Sequence, residues 1–490
     1  MKRYITYILA IATILPVFTS CEDAEFLKEK PKEVLEESFL DSPEAVESQI
    51  NSIYYQLQRG EGFGRYLSVL SESLSDYCYG RGNFATSYST GLTSGARSFS
   101  RDAWAVLYRA IRFSNGLLTN MGEADLTPAE HELYEGEIRY LRAFSYSYLA
   151  RYYGAVPFFD EHNMADFYKP RTPEEDIWKF VLSEAEYAAS VLPEKSREAG
   201  RPSKYSALML KTEAALYLKD YSLAAAASGE IIKSGRYSLV EVSTPDDFDK
   251  LYGYKAVTTT EEIFYIKYNR DVGNSFEWMF LCNPNPVSAT GALGIYTDSK
   301  NNNFIASWDK TDFRYQHTLY HSTNGTLKAL TTTGLICIKY RDPETDLSHM
   351  ATDWPVYRYA DALLYYAEAV CRRDGKPNAE AVEMVNKIRR RAYGHPQDTP
   401  ISTDYKLEQF PTQEAFIDLL LKEKGYEQCF EGKRYCDLKR QGKLAEYALN
   451  AGRVKSLDEV KDAAYWWPIP DDEFNYNPNL DASKDQNPGY

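Results

Sequence analysis

Residues 356–370 read VYRYADALLYYAEAV, and the reading of this stretch decides the fold. Val356, Ala360, Leu363, Ala367 and Val370 recur at steps of four, three, four and three, which predicts one apolar face of a helix. Arg358, Asp361, Tyr365, Glu368 and Arg372 fall on the opposite face, with Arg358–Asp361 and Glu368–Arg372 spaced to pair along the helix surface. Pro355 suits a first turn, where its missing N–H is no loss. Ala360, Ala362, Ala367 and Ala369 would let a second helix approach closely. That helix is predicted at 378–391, NAEAVEMVNKIRRR, after the Gly-Lys-Pro turn at 375–377. Two antiparallel helices on a short turn form a tetratricopeptide-like unit. Residues 204–219 and 221–234 make a second such pair, with Ala214, Ala215 and Ala224–Ala227 at its interface, so a weak internal repeat runs through a mainly α chain.

Working outward, residues 423–444 read EKGYEQCFEGKRYCDLKRQGKL. Glu431, Arg434 and Asp437 are three apart, which predicts an ion-pair ladder on one helix face. Upstream, Thr127 and Pro128 open a helix whose core, EIRYLRAFSYSYLARYYGAVPFF at 137–159, is stopped by Gly154 and Pro157. Residues 102–120 carry Trp104, Tyr108, Ile111, Asn115 and Leu118 at helical spacing, and Ser42-Pro43-Glu44 begins a helix reaching about Gln58. The chain closes on WPIPDDEFNYNPNL and QNPGY, whose prolines impose an extended tail that wraps the body.

These five segments, in this order, resemble the motifs of the SusD/RagB family. The matches are Trp104, Tyr108, Ile111 and Asn115; Glu137, Leu141, Arg142, Ala143, Tyr146, Gly154 and Pro157; the R-Y-A-D-x-L-L-x-Y-A-E-A helix; Phe430, Glu431, Gly432, Arg434, Asp437 and Leu438; and the P-I-P and Q-N-P-G-Y tail. Lys424, Gly425 and Gln428 depart from the family pattern. The resemblance implies a SusD-like α-helical body built on tetratricopeptide-like helix pairs, with a loop-rich ligand-binding insertion and a few short strands. It also implies a surface lipoprotein that captures glycans, oligosaccharide or polysaccharide, and delivers them to a SusC-like TonB-dependent outer-membrane transporter.

The start of the chain agrees with that expectation. Lys2 and Arg3 precede an apolar run at 4–17 too short to span a bilayer, and Phe18-Thr19-Ser20-Cys21 resembles a loose lipobox. Residues 1–20 are expected to be a lipoprotein signal peptide, Cys21 the lipidation site, and 21–40 a tether. Glu22, Asp23 and Glu25 resemble an export signal to the outer face, so the expected location is the outer membrane, lipid-anchored and facing the exterior. Residues 41–235 form an N-terminal helical part and 236–490 a C-terminal part with the insertion, in one fused body.

A net charge of −15 repels phosphate backbones and excludes nucleic acid as a partner. The 41 tyrosines and 7 tryptophans supply rigid apolar plates of the kind that stack on sugar rings. Two loop regions carry them outside any helical period. In SDYCYGRGNFATSYSTGLTSGARS, at 75–98, the candidate ligand residues are Asp76, Tyr77, Tyr79, Arg81 and Tyr88. In the insertion between predicted strands at 262–269 and 334–340 they are Trp278, Tyr296 and Trp308. Catalytic chemistry is missing: there is no C-x-x-C, G-x-S-x-G, P-loop or H-E-x-x-H, and His317 and His321 lack a third metal ligand. Cys429 and Cys436, if on one helix, stand too far apart for a disulfide. No cofactor is expected; with no EF-hand loop, a structural calcium is the one ion left open. The leading expectation is a non-enzymatic glycan-binding protein. The alternatives are a surface glycoside hydrolase and a tetratricopeptide-type docking adaptor without a sugar site.

Overall fold

Side-chain caps start the helices. In the computed structural model, which describes residues 40–270, 276–278, 294–298, 302–321, 335–344 and 350–490, the Ser42 side chain accepts from Ala45 N at 3.3 Å and Pro43 takes the first position of α1 (Pro43–Gln58). After α2 (Tyr66–Ser73) and α3 (Ser94–Asn120), Thr127 and Glu130 form a reciprocal capping box at the start of α4 (Pro128–Tyr153). Gly154, at φ +73°, ends α4. Then follow α5 (Glu174–Val191), α6 (Lys204–Tyr217), α7 (Tyr221–Lys233), α8 (Tyr359–Asp374), α9 (Ala379–Ala392), α10 (Gln413–Glu427), α11 (Arg434–Arg440) and α12 (Leu444–Asn450). The leader, Cys21 and the tether up to residue 39 lie outside the described residues.

The helices stack in sequence. α1 packs on α3, α3 on α4, α4 on α5, α5 on α6, α6 on α7, α7 on α8, and α8 on α9 and α10. Both expected helix pairs, α6–α7 and α8–α9, are present, and the fold is mainly α with short strands. All the sheets among the described residues are two-stranded.

The deciding stretch differs at its start from expectation. Trp354–Arg358 is a strand, antiparallel to Glu262–Ile266, and the helix begins only at Tyr359. Pro355 therefore sits in a strand of a two-stranded sheet, where a missing N–H is tolerated. Most of the opposite face is buried as well: Arg358 and Asp361 are 0 % exposed, Glu368 2 % and Tyr365 4 %. Arg358 N donates to Asp361 Oδ2 at 2.6 Å, and the Arg358 guanidinium goes instead to Glu431 (2.9 Å), Glu427 (3.0 Å) and Glu261 (3.1 Å). Arg391 binds Glu261 at 2.7 Å and Glu427 at 2.5 Å. Glu368 pairs with Arg440, not with Arg372. The predicted ladder is likewise undone. Glu431 lies in the turn before α11 and takes Arg358, Lys339 and Lys433; Arg434 takes Asp76; Asp437 takes Lys424 and Arg440. Charges buried in this number persist because each finds partners on several elements at once.

The tail wraps the body as expected. Asn487 Nδ2 donates to Tyr153 O at 2.9 Å and Trp467 O at 2.6 Å. The Tyr490 hydroxyl donates to Ala463 O at 3.0 Å and accepts from Leu92 N at 2.9 Å. Gly91, at φ +67°, makes room for it, since a Cβ there would lie 1.9 Å from that hydroxyl. Cys78, Cys337, Cys371, Cys429 and Cys436 are buried free thiols, and Cys282 lies outside the described residues. His317 is buried against Asp249 at 2.9 Å, and the described residues hold no cluster of three metal-ligating groups. Among them, no helix is long and apolar enough to cross a membrane.

Candidate functional site

The two aromatic loop regions meet. Tyr79–Gly80 pairs antiparallel with Ile295–Tyr296, in the register Tyr79↔Tyr296 and Gly80↔Ile295, and Arg81 N extends the ladder to Gly294 O at 2.7 Å. Facing residues on such a pair bring their side chains together. The Tyr79 and Tyr296 rings stack with centroids 5.3 Å apart and planes 15° from parallel. Both remain half-buried, as does Arg81, so part of each ring is open to solvent.

Arg453 braces this stack. Its guanidinium lies 4.1 Å from the Tyr79 ring centre and 5.3 Å from that of Tyr88, and it donates to Ser75 O at 2.7 Å and to Cys78 O. Tyr79, one ring of the stack, lines a cleft of about 530 Å³ whose other walls include Thr86, Ser87, Tyr88, Arg453, Asp458 and Lys461. Lys461 N donates to Tyr88 O at 2.8 Å, which ties the far wall to the 75–98 loop. Burial, and after it the neighbouring Tyr79, raises the Tyr296 phenol. Its hydroxyl therefore keeps its proton at neutral pH and can both give and accept hydrogen bonds. An aromatic plate beside hydroxyls, a guanidinium and a carboxylate can hold a flat polyhydroxylated ring by stacking and by bridging its hydroxyls.

The other expected site residues occupy different places. Asp76, 1 % exposed, is clamped by Arg434 through bonds of 2.8 and 2.7 Å, and its backbone oxygen accepts from Asn302 Nδ2 at 2.6 Å. Tyr77, fully buried, gives its hydroxyl proton to Glu72 at 2.9 Å and accepts from Phe430 N at 2.9 Å. Tyr88 is 3 % exposed and bonds Leu74 O at 2.8 Å, touching the cleft only with its edge. Trp278, fully buried, sits among Phe276, Tyr340, Trp354 and Phe430. Trp308, 1 % exposed, stacks on Tyr426 at 4.5 Å and donates to Asp312 at 3.1 Å. Asp76, Tyr77, Trp278 and Trp308, expected to face a ligand, are instead buried, each at 1 % exposure or less, and pack the loops down. Arg453 and Lys461 escape sequence reading because GRVKSLDEVK, at 452–461, carries no aromatic and no motif; a mixed-charge turn just after a helix stop was the one signal.

A stacked-helix body of mainly α class, carrying a loop-built aromatic cleft, defines the kind of protein. Comparison with known proteins then places it. Residues 297–490 match the SusD family model, and residues 25–216 match a second one described as starch-binding, associating with outer membrane. The chain belongs to the SusD/RagB family. It is similar to SusD-like protein P2 of Formosa agariphila, 25 % identical, with all of both chains covered. In fold it is similar to a SusD homologue from Bacteroides thetaiotaomicron, with a TM-score of 0.77, 20 % identity, and 94 % of this chain and 99 % of that one covered. It is also similar to surface glycan-binding protein A of the same organism, solved in complex with laminarihexaose, with a TM-score of 0.70, 22 % identity, and 91 % and 99 % covered.

Proposed function

We propose that this protein is a non-catalytic glycan-binding lipoprotein of the outer membrane, held by lipid on Cys21 and facing the exterior, which captures oligo- or polysaccharide and passes it to a SusC-like TonB-dependent transporter. The observation that carries the reading is the half-open Tyr79–Tyr296 stack on a polar cleft. Family membership supports it, and so does the laminarihexaose complex of a protein with the same fold. Tyr79, Tyr296, Arg81 and Arg453 are the residues proposed to touch sugar. Stacking and hydroxyl bonds on a preformed face give modest affinity per site, raised on a polymer by repeated engagement.

The test is affinity electrophoresis and calorimetry of the chain from residue 22 onward against starch, laminarin, xylan, galactomannan and pectin, with reducing ends assayed in the same samples. Binding to one class without released sugar is the expected result. Released sugar would replace the reading with a glycoside hydrolase, and no retention by any polymer would favour a docking adaptor. In cells, Cys21→Ser is expected to shift the protein from the membrane fraction to the soluble one.

A further inference from the structure

A second cleft, of about 500 Å³, lies beside the turn that carries Arg453. Its walls include Phe304, Phe410, Tyr426 and Tyr447. Phe304, Phe410 and Tyr447 are half-buried and so present part of each ring. Tyr426 is stiffened from behind by the Trp308 stack. The Arg434 guanidinium, fixed by Asp76, lies 4.8 Å from the Phe304 ring centre and 5.0 Å from that of Tyr447, which holds these two rings in place. The rim is polar, with Asn303, Lys422 and Asn450 exposed.

The two clefts are lined by neighbouring stretches of chain. Asp76 lines this one and Tyr79 the first; Ala451 lines this one and Arg453 the first. Three residues of extended chain span at most about 11 Å, so the clefts adjoin. Both set aromatic rings beside hydroxyl and cationic side chains, and the second adds the amides of Asn303 and Asn450, a composition that suits neutral sugar rings.

We propose that the cleft between Phe304 and Tyr447 is a second saccharide subsite, and that the ligand is a chain long enough to lie in both clefts at once. This rests on the glycan-binding reading above. It accounts for the burial of Asp76 and Trp308: Asp76 fixes Arg434 at the wall of the second cleft, and Trp308 backs Tyr426.

The experiment compares affinity-gel retardation of three variants and the wild-type chain in starch, laminarin, xylan and galactomannan. Tyr79→Ala/Tyr296→Ala removes the stacked rings at the edge of the first cleft. Lys422→Ala/Asn450→Ala strips the rim of the second and leaves its rings in place, so folding is undisturbed; melting temperatures check this. The third variant combines all four changes. Each double variant is expected to weaken retardation by the same polymer about tenfold, equivalent to about 1.4 kcal/mol, and the quadruple variant to run unretarded. If only Tyr79→Ala/Tyr296→Ala has an effect, the second subsite is overturned while glycan binding stands. If only Lys422→Ala/Asn450→Ala has an effect, the inference of two linked subsites is overturned and the second cleft is the site. If the wild type is not retarded by any of the four polymers, both readings fail.

Discussion

Replacing Tyr79 with alanine removes a ring stacked on Tyr296 but still open to solvent, whereas Trp278→Ala empties a space enclosed by Phe276, Tyr340, Trp354 and Phe430. The first is expected to weaken glycan binding with the melting temperature nearly unchanged. The second is expected to cost about 3–5 kcal/mol of stability, read by urea denaturation, and to affect binding only through unfolding. Asp76 belongs with the second group. Asp76→Asn leaves the Arg434 guanidinium short of its counter-charge in the interior, so a loss of about 3–5 kcal/mol is expected in the same assay. The sequence shows at once that these residues are aromatic or acidic and lie in loops. It does not show which way they point, because loops carry no period from which an inward face can be read.

At the scale of elements, the caps behave locally. Thr127→Ala breaks a capping box at the exposed start of α4 and is expected to cost about 1 kcal/mol, seen as a small fall in melting temperature. The charged face of α8 behaves globally, and its pH dependence has a sign. Burial alone would raise Glu427, but Arg391, Arg358 and Arg314 outweigh it and hold the carboxyl down to about 2; Glu431 is lowered in the same way by Arg358, Lys339 and Lys433. Groups lowered in the folded state contribute stability above their ordinary value of 4.5, and that contribution is lost as pH falls through the folded value. Glu72 works in the opposite direction. Burial pushes it up from 4.5 to about 7, so its contribution is full below 4.5 and is lost as pH rises through 7. Urea midpoints measured from pH 3 to 8 are therefore expected to drop steeply on the acid side, and Glu72→Gln to flatten the decline between 4.5 and 7. The helix of 356–370 was legible from its apolar spacing. The burial of its other face was not, because α10, α11 and the turn between them come from residues sixty or more positions away.

For the whole molecule, the stack of helices runs without a break from α1 to α10, and the tail ties Leu92, Tyr153, Ala463 and Trp467 together. Unfolding is expected as a single transition, with the same midpoint by far-UV circular dichroism and by tryptophan fluorescence, since Trp104 and Trp178 lie in the first half of the chain and Trp354 and Trp467 in the second. Asn487→Ala should lower that midpoint by both probes equally; two separated transitions would show that the halves 41–235 and 236–490 fold independently.

Sequence by itself determined the order of helices, their starts at Ser42 and Thr127, the stop at Gly154, the two helix pairs and the family, because periodicity, caps and breakers act within a few residues along the chain. Only the tertiary structure decided that Trp354–Arg358 is a strand, that Arg358 is a buried hub, and that Tyr79 meets Tyr296 while Trp278 and Trp308 turn inward. Each of these depends on which distant segment fills the neighbouring space, and that is settled by the packing of the whole core.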